Sequence, residues 1–292
     1  MHQGPTASKA AGGTGRADLG VRARDKKVGV RAGVAGDPST PPEILRAMTT
    51  DPSRRVRQAL AARTDAPADV LRALAGDPDL KTRRTVVENP ACPPDVLVAL
   101  VEDPHQSVRW SLPDHPAADA ELHRAICRSA DEVLRNLLAG CRGLDEETNA
   151  ALAGDRSAIV RASLAAHTDA PDILATLVAD ADPQVRASAA RNFRLTVDQL
   201  RLLANDRSAV VREAAVQPEW LPLDELRRLA RDRSIYVRWC LAMDPTTPES
   251  VLRILAEDPH PDVEAQARAN LSQRATSAGA SPSAMRLVDE GD

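Results

Sequence analysis

Nine arginines recur at almost constant spacing along this 292-residue chain: Arg31, Arg57, Arg83, Arg109, Arg135, Arg161, Arg186, Arg212 and Arg238. A guanidinium is a planar fork of donors that meets a carboxylate or a phosphate two bonds at a time. One reading is a row of phosphate clamps along a nucleic acid. The other is a row of internal ion pairs, because aspartates move in phase with the arginines. They are Asp25, Asp51, Asp77, Asp103, Asp155, Asp180, Asp206, Asp232 and Asp258, with Ser129 in the remaining place. Each but Asp258, which is followed by Glu264, lies six residues before an arginine, and all lie just before a helix start, where the helix dipole favours an anion. The pairing reading leads. It makes a structural ladder of Asp51 and Arg57, Asp77 and Arg83, Asp103 and Arg109, Asp155 and Arg161, Asp206 and Arg212, and Asp232 and Arg238. Each arginine is expected to meet the aspartate six residues before it or that of a neighbouring repeat.

A second series, Arg46, Arg72, Arg124, Arg201, Arg227 and Arg253, mostly follows an acid by three residues: Glu43, Asp69, Glu121, Asp198 and Asp224. Residues three apart share a helix face, so these pairs are expected to neutralise a solvated surface. Where they splay, Arg46, Arg72, Arg201, Arg227 and Arg253 become candidate partner contacts. Trp110 and Trp239 are the other candidates. Each directly follows a Val-Arg dipeptide, at a phase held elsewhere by Gln58, Arg84, Asn136 and Glu213, with Ala162 and Ala187 as small exceptions. That phase is expected to face solvent, where a Trp can anchor an interface, although ordinary partial burial against the next layer is the leading reading of the two rings.

No other constellation points to chemistry. Cys92, Cys127, Cys141 and Cys240 form no CxxC pair and occupy four different phases, which predicts reduced, packed thiols and no metal site. His115 and His167 share a phase two layers apart, too far for one ion when packed helices stand about 8–10 Å apart. No P-loop, GxSxG or HExxH pattern is present. Neither a catalytic residue nor a cofactor is expected.

These residues are positioned by a repeat. Val-Arg dipeptides begin at Val30, Val56, Val108, Val160, Val185, Val211 and Val237. Thr82-Arg83 and Leu134-Arg135 fill the gaps, and Val263-Glu264 ends the series. The step is 26 residues, with one of 25 between Val160 and Val185. Within a unit, Val56, Ala59 and Leu60 make one helical face, and Val70, Leu71 and Leu74 make a second. Asp-Pro pairs such as Asp51-Pro52 break the chain between units. Pro67 is expected in the first turn of the second helix, and Thr40 with Glu43 reads as a capping box. One such unit cannot bury its own stripe; stacked units can. The unit from Leu134 carries Thr148 and Asn149 where apolar residues belong, so a weaker or bent layer is expected there.

Composition agrees. Apolar residues make up 43% but aromatics only 2%, and the net charge is -4. Ala, Leu and Val suit thin helical layers, and a balanced charge gives no general attraction to nucleic acid or to anionic membrane. No apolar run reaches the ~18 residues of a membrane span. The start has no apolar signal core. A cytoplasmic protein is expected, with disordered tails at residues 1–28 and 274–292 and a repeat solenoid at 29–273 holding nine repeats plus a partial one.

The stretch Val56-Arg57-Gln58-Ala59-Leu60-Ala61, followed by Ala66-Pro67-Ala68-Asp69-Val70-Leu71-Arg72-Ala73-Leu74-Ala75-Gly76-Asp77-Pro78, resembles the leucine-rich repeat variant family. The resemblance covers about residues 30–273. It implies an all-α, right-handed solenoid whose units alternate an α-helix with a 3₁₀-helix. Some family members carry an N-terminal cysteine cluster holding iron and sulfur. No cysteine precedes Cys92 here, so that cluster is not carried over. The Asp-x₅-Arg spacing also resembles HEAT repeats. The leading expectation is a non-catalytic scaffold or adaptor that binds a protein through one face of the solenoid. A nucleic-acid-binding solenoid using the Arg stripes is the first alternative, and a divergent metal- or redox-associated repeat protein the second.

Overall fold

Short helices with one apolar stripe must stack, and the structure shows how they do. The computed structural model describes residues 18–279. Among them every assigned element is a helix and no strand occurs, so the fold class is an all-α repeat solenoid. The tails expected at residues 1–28 and 274–292 lie largely outside the described residues. Within those ranges, residues 18–22 are helical and the last helix, Pro261–Gly279, runs past residue 273.

The chain divides into two compact units, with the boundary between Ala151 and Leu152. That boundary falls inside the repeat whose sequence diverges. In the first unit, first helices of the repeats are Val28–Gly36, Arg54–Ala61, Leu80–Val87, Gln106–Arg109 and Glu132–Ala139. Second helices are Pro42–Met48, Ala68–Ala75, Pro94–Leu100 and Ala120–Arg128, with Glu146–Ala153 at the boundary. In the second unit, first helices are Ala158–His167, Pro183–Ala189, Ala209–Ala214, Ile235–Met243 and Pro261–Gly279. Second helices there are Pro171–Val178, Val197–Ala204, Leu223–Leu229 and Glu249–Leu255. In each unit first helices pack on one another, as Arg54–Ala61 does on Leu80–Val87 and Ala158–His167 on Pro183–Ala189.

Both helices of a repeat are α-helical. The 3₁₀-helix that the family resemblance implies is not assigned among the described residues. Three-residue bonds occur at helix starts and in the connecting turns: the Pro67 carbonyl accepts from Val70 three residues on and also from Leu71 four residues on, and the Asn89 carbonyl accepts from Cys92. Pro67 is itself the N-cap, one place ahead of the expected first turn. Thr40 makes no capping box. Pro41 is the N-cap of Pro42–Met48, and the Thr40 hydroxyl turns inward to donate to the Val34 carbonyl at 2.7 Å. Thr247 does the same toward Leu241 at 2.7 Å. The capping box that does form joins Thr196 and Gln199.

The core is a file of aliphatic side chains. Val56, Leu60 and Ala61 are fully buried, whereas Ala59 is only partly covered, so the first-helix stripe is narrower than the spacing predicts. Val70, Leu71 and Leu74 are buried on the second helix, as are Val96, Leu97 and Leu100. In the divergent repeat, Thr148 and Asn149 are buried and bonded locally. Thr148 donates from its amide and hydroxyl to Asp145, and Asn149 donates to the carbonyls of Leu144 and Asp145. Gly143, at φ 69, supplies the left-handed residue that the preceding turn requires.

Leu71 is fully buried while Leu202 is 61% exposed. Leu71→Ala should cost about 2–5 kcal/mol in urea unfolding. Leu202→Ala should change stability by no more than about 0.5 kcal/mol. Equal losses at the two sites would contradict this assignment of the core.

Candidate interaction surface

Helices of about eight residues leave most of their terminal N–H and C=O groups without intrahelical partners. Two ladders satisfy them, and together they set what remains on the surface.

The first ladder is the Arg–Asp series, and each rung reaches into the next repeat. Arg31 donates from Nε and Nη2 to the two oxygens of Asp51, at 2.6 and 3.0 Å. Its Nη1 donates to the backbone carbonyl of Asp25, at 2.8 Å. The same fork joins Arg57 to Asp77, Arg83 to Asp103, Arg161 to Asp180, Arg186 to Asp206, Arg212 to Asp232 and Arg238 to Asp258. In every case Nη1 binds the carbonyl of the aspartate six residues before. Of the two partners expected for each arginine, the near aspartate thus supplies its carbonyl and the next repeat supplies the carboxylate. Where Ser129 replaces Asp, Arg109 reaches two residues further to Asp131. The buried Arg135 donates Nη1 to the Ser129 carbonyl at 2.8 Å.

Each aspartate works twice. Its Oδ1 also accepts the N–H two residues on, as Asp51 does from Ser53, Asp155 from Ser157, and Asp206 from Ser208. This bond fixes the turn that launches the next first helix. None of the eight carboxylate-paired arginine side chains is more than 20% exposed. The Arg31 hydrogen bond holds the Asp51 carboxyl below its ordinary range. At Asp103, Asp180, Asp206, Asp232 and Asp258, burial pushes the carboxyl up. The arginine and the turn N–H outweigh it, and the net direction is down.

The second ladder lies at the other end of the first helices and was not anticipated. Asn89 donates Nδ2 to the carbonyls of Ala61 and Arg63 in the preceding repeat, at 2.6 and 2.7 Å. Asn192 does so to Ala165 and Thr168, and Asn270 to Ala242 and Asp244. Arg63 reaches Ala35 and Asp37 in the same way. His115 takes the role with Nε2, 3.0 Å from the Asn89 carbonyl, while its Nδ1 accepts the Ala117 N–H at 3.0 Å. That pair of bonds fixes the neutral tautomer protonated on Nε2. His167 does not join; its Nδ1 faces the Ser163 carbonyl of its own helix. Asn89, His115, Asn192 and Asn270 share one phase of the repeat, seven residues after the Val-Arg valine or its substitute.

The second arginine series also differs from its i, i+3 expectation. Arg46 pairs with Asp69, Arg72 with Asp95 and Arg124 with Glu147, each in the following repeat. Arg201 does face Asp198, at 3.6 Å, and Arg253 faces Glu249 four residues earlier. Arg227 is exposed on Leu223–Leu229. Burial pushes the Cys92 thiol up to about 12 and the Cys141 thiol up to about 11, so neither is a ready thiolate. Among the described residues no group of three His, Cys, Asp or Glu is arranged to hold a metal. No described helix is long and apolar enough to cross a membrane.

The ladders leave every aromatic ring outside. Trp110 is 37% exposed and Trp239 39%, and Tyr236, Phe193 and Trp220 are each above 60%. Beside Trp239, a groove of about 740 Å³ is lined by Ile235, Tyr236, Ala265 and Ala269, with Asp262 and Gln266 on it. A smaller cleft of about 370 Å³ is lined by both Phe193 and Trp220.

Comparison with known proteins accords with this geometry. The family model described as leucine rich repeat variant matches residues 28–53 and 80–105. A solved structure described as a leucine-rich repeat variant with a novel repetitive protein structural motif aligns at TM-score 0.54 and 24% identity, over 76% of this chain and 88% of that chain. It supports the fold alone. A designed armadillo repeat protein aligns over 88% of this chain and 98% of that chain at 14% identity, but its TM-score of 0.16 carries no argument. No curated protein matches.

Two outcomes follow. The carboxyls of Asp51, Asp103, Asp131, Asp180, Asp206, Asp232 and Asp258 are held low only in the folded chain, so the unfolded chain takes up protons first as pH falls. Their stabilisation is complete above the ordinary carboxylate pKa of about 3.9 and is lost below it. Urea midpoints should be flat from pH 7 to 5 and fall steeply below about pH 4; a midpoint that rises on acidification would contradict this. Separately, Asn192→Ala leaves two buried carbonyls unmet and should cost about 1–3 kcal/mol. His115→Asn, which restores the side chain used at Asn89, should cost less than His115→Ala in the same unfolding experiment.

Proposed function

Because the chain is built on the leucine-rich repeat variant plan, we propose that it is a non-catalytic scaffold that binds a protein partner through the exposed face of its first helices. The observation that carries this reading is the placement of the rings. The chain has three Trp, one Tyr and one Phe. All five are exposed, and the core is aliphatic throughout. Large rings normally go to the core, where they bury the most area. Rings held outside on a rigid frame are the usual anchors of protein interfaces.

Trp110 and Trp239 are the proposed anchors. They occupy the same phase of the first helix, and Tyr236 widens the apolar surface beside Trp239. The arginines that first resemble phosphate clamps are covered and already engaged, which leaves little for a nucleic acid to use. Arg46 and Arg72 are likewise held by acids of the next repeat. The exposed Arg201, Arg227 and Arg253 are proposed as secondary contacts. Cys92, Cys127, Cys141 and Cys240 form no disulfide, which suits a reducing compartment such as the cytoplasm.

Full-length chain used as bait, with cross-linking and mass spectrometry, should retain a discrete protein partner. Trp110→Ala with Trp239→Ala should reduce that retention by at least about tenfold, as expected for hot-spot rings. Equal retention by the variant, or salt-dependent retention of duplex DNA in place of protein, would contradict the proposal.

A further inference from the structure

The turn after each first helix carries a small or polar residue eight places beyond the Val-Arg valine or its substitute: Thr64, Pro90, Pro116, Arg142, Thr168 and Pro245. One turn breaks the rule with Phe193, and the next places Trp220 one residue further on. Two successive turns thus present a ring each, 62% and 65% exposed, and both rings line a cleft of about 370 Å³. We propose that this cleft is a peptide subsite that takes one bulky apolar side chain, followed within one or two residues by an acidic side chain. The proposal rests on the protein-binding reading above and names the chemistry of the segment recognised.

The floor selects an apolar guest. Leu200 is buried there, and Val197 and Leu195 line the wall. The polar lining groups are already engaged within the protein. Asn192 donates to Ala165 and Thr168, and Gln217 donates to the Ala190 carbonyl. Both belong to the carbonyl ladder, so the floor is held in place before any ligand arrives. That preorganisation lowers the ordering cost of binding. The volume is near the small end of ligand sites, which span about 300–1,000 Å³. It suits one side chain rather than a cofactor.

The rim selects the charge. Arg191 lines the cleft, is exposed, and makes no ion pair among the described residues. Arg194 lies over the Phe193 ring at 5.1 Å and stands 3.6 Å from Asp169, which steadies that ring. An acid on the guest therefore meets Arg191. Glu219 is exposed beside Trp220, so the acid lies on the Phe193 side. Asp198 is exposed on the neighbouring helix, and with Glu219 it disfavours a polyanion such as nucleic acid. An extended segment advances about 3.3–3.6 Å per residue. A side chain one or two positions beyond the anchor is then within reach of a long arginine.

The three Trp indole N–H signals of the full, nitrogen-15-labelled chain give the readout. The probe is an acetylated, amidated Ser-Leu-Glu-Glu-Ser peptide. The Trp220 signal should shift in a saturable manner while Trp110 and Trp239 stay fixed. Replacing Leu by Ser in the peptide should abolish the shift. Replacing both Glu by Lys, or making Arg191→Gln in the protein, should weaken binding at least fivefold, and Phe193→Ala should abolish it. All altered residues are exposed, and the unmoved Trp239 signal, from the same compact unit, reports an intact fold. A motionless Trp220 signal, or equal binding of the Glu and Lys peptides, overturns the proposal. If partner retention through Trp110 and Trp239 persists in that case, the subsite alone has failed and the scaffold reading stands. A shift driven by short oligonucleotides but not by the peptide would assign the cleft to nucleic acid instead.

Discussion

A single arginine that touches two turns at once is the interaction on which the rest depends. Arg57 holds the Asp51 carbonyl with Nη1 and the Asp77 carboxylate with Nε and Nη2. It joins the start of its own first helix to the start of the next. The aspartate at the far end is simultaneously the acceptor that shapes its own turn. Removing either partner therefore loosens both a turn and a register. A charge-assisted, bidentate bond in a covered site suits this task better than a single neutral hydrogen bond, because it fixes orientation as well as distance. A buried charge left alone is costly, which commits each repeat to its neighbour.

The carbonyl ladder completes the frame at the opposite helix ends. A short helix exposes its last carbonyls, and a stacked array covers them before water can serve them. Asn, Arg or His from the following repeat meets them across 24 to 28 residues of sequence. Between the two ladders, the aliphatic file of Val, Leu and Ala fills the layer. Polar groups at both ends and apolar groups between them make each neighbour contact specific. That is the condition for stability built from nearest-neighbour terms.

The period was legible because Val-Arg and Asp recur in step, and both helical faces could be placed from the spacing of Val56, Leu60, Val70, Leu71 and Leu74. The direction of each rung was not. Six residues separate Asp51 from Arg57 and twenty separate Arg57 from Asp77, and only packing decides which carboxylate the fork meets. The same holds for Arg46, which passes over the nearby Glu43 position to reach Asp69. The carbonyl ladder was hidden by chemical variety: Arg63, Asn89 and His115 look unrelated until sorted by their ability to donate to a carbonyl. His115 and His167 share a phase, yet only the first donates across to the preceding repeat. The Phe193–Trp220 cleft was unreadable for another reason. Its two rings sit at slightly different phases, so no column of the repeat contains both.

The regularity of the frame explains why the exposed rings draw attention. Residues that recur in every repeat are occupied in holding it together, and the surface differs where Trp110, Phe193, Trp220, Tyr236 and Trp239 depart from the column. The most direct test of the frame is a pair of double-mutant cycles in urea unfolding. Arg57→Gln combined with Asp77→Asn should show a coupling of about 1–3 kcal/mol. Arg57→Gln combined with Asp51→Asn should show little, because Asp51 offers Arg57 only its backbone carbonyl. A larger coupling to Asp51 than to Asp77 would contradict the account.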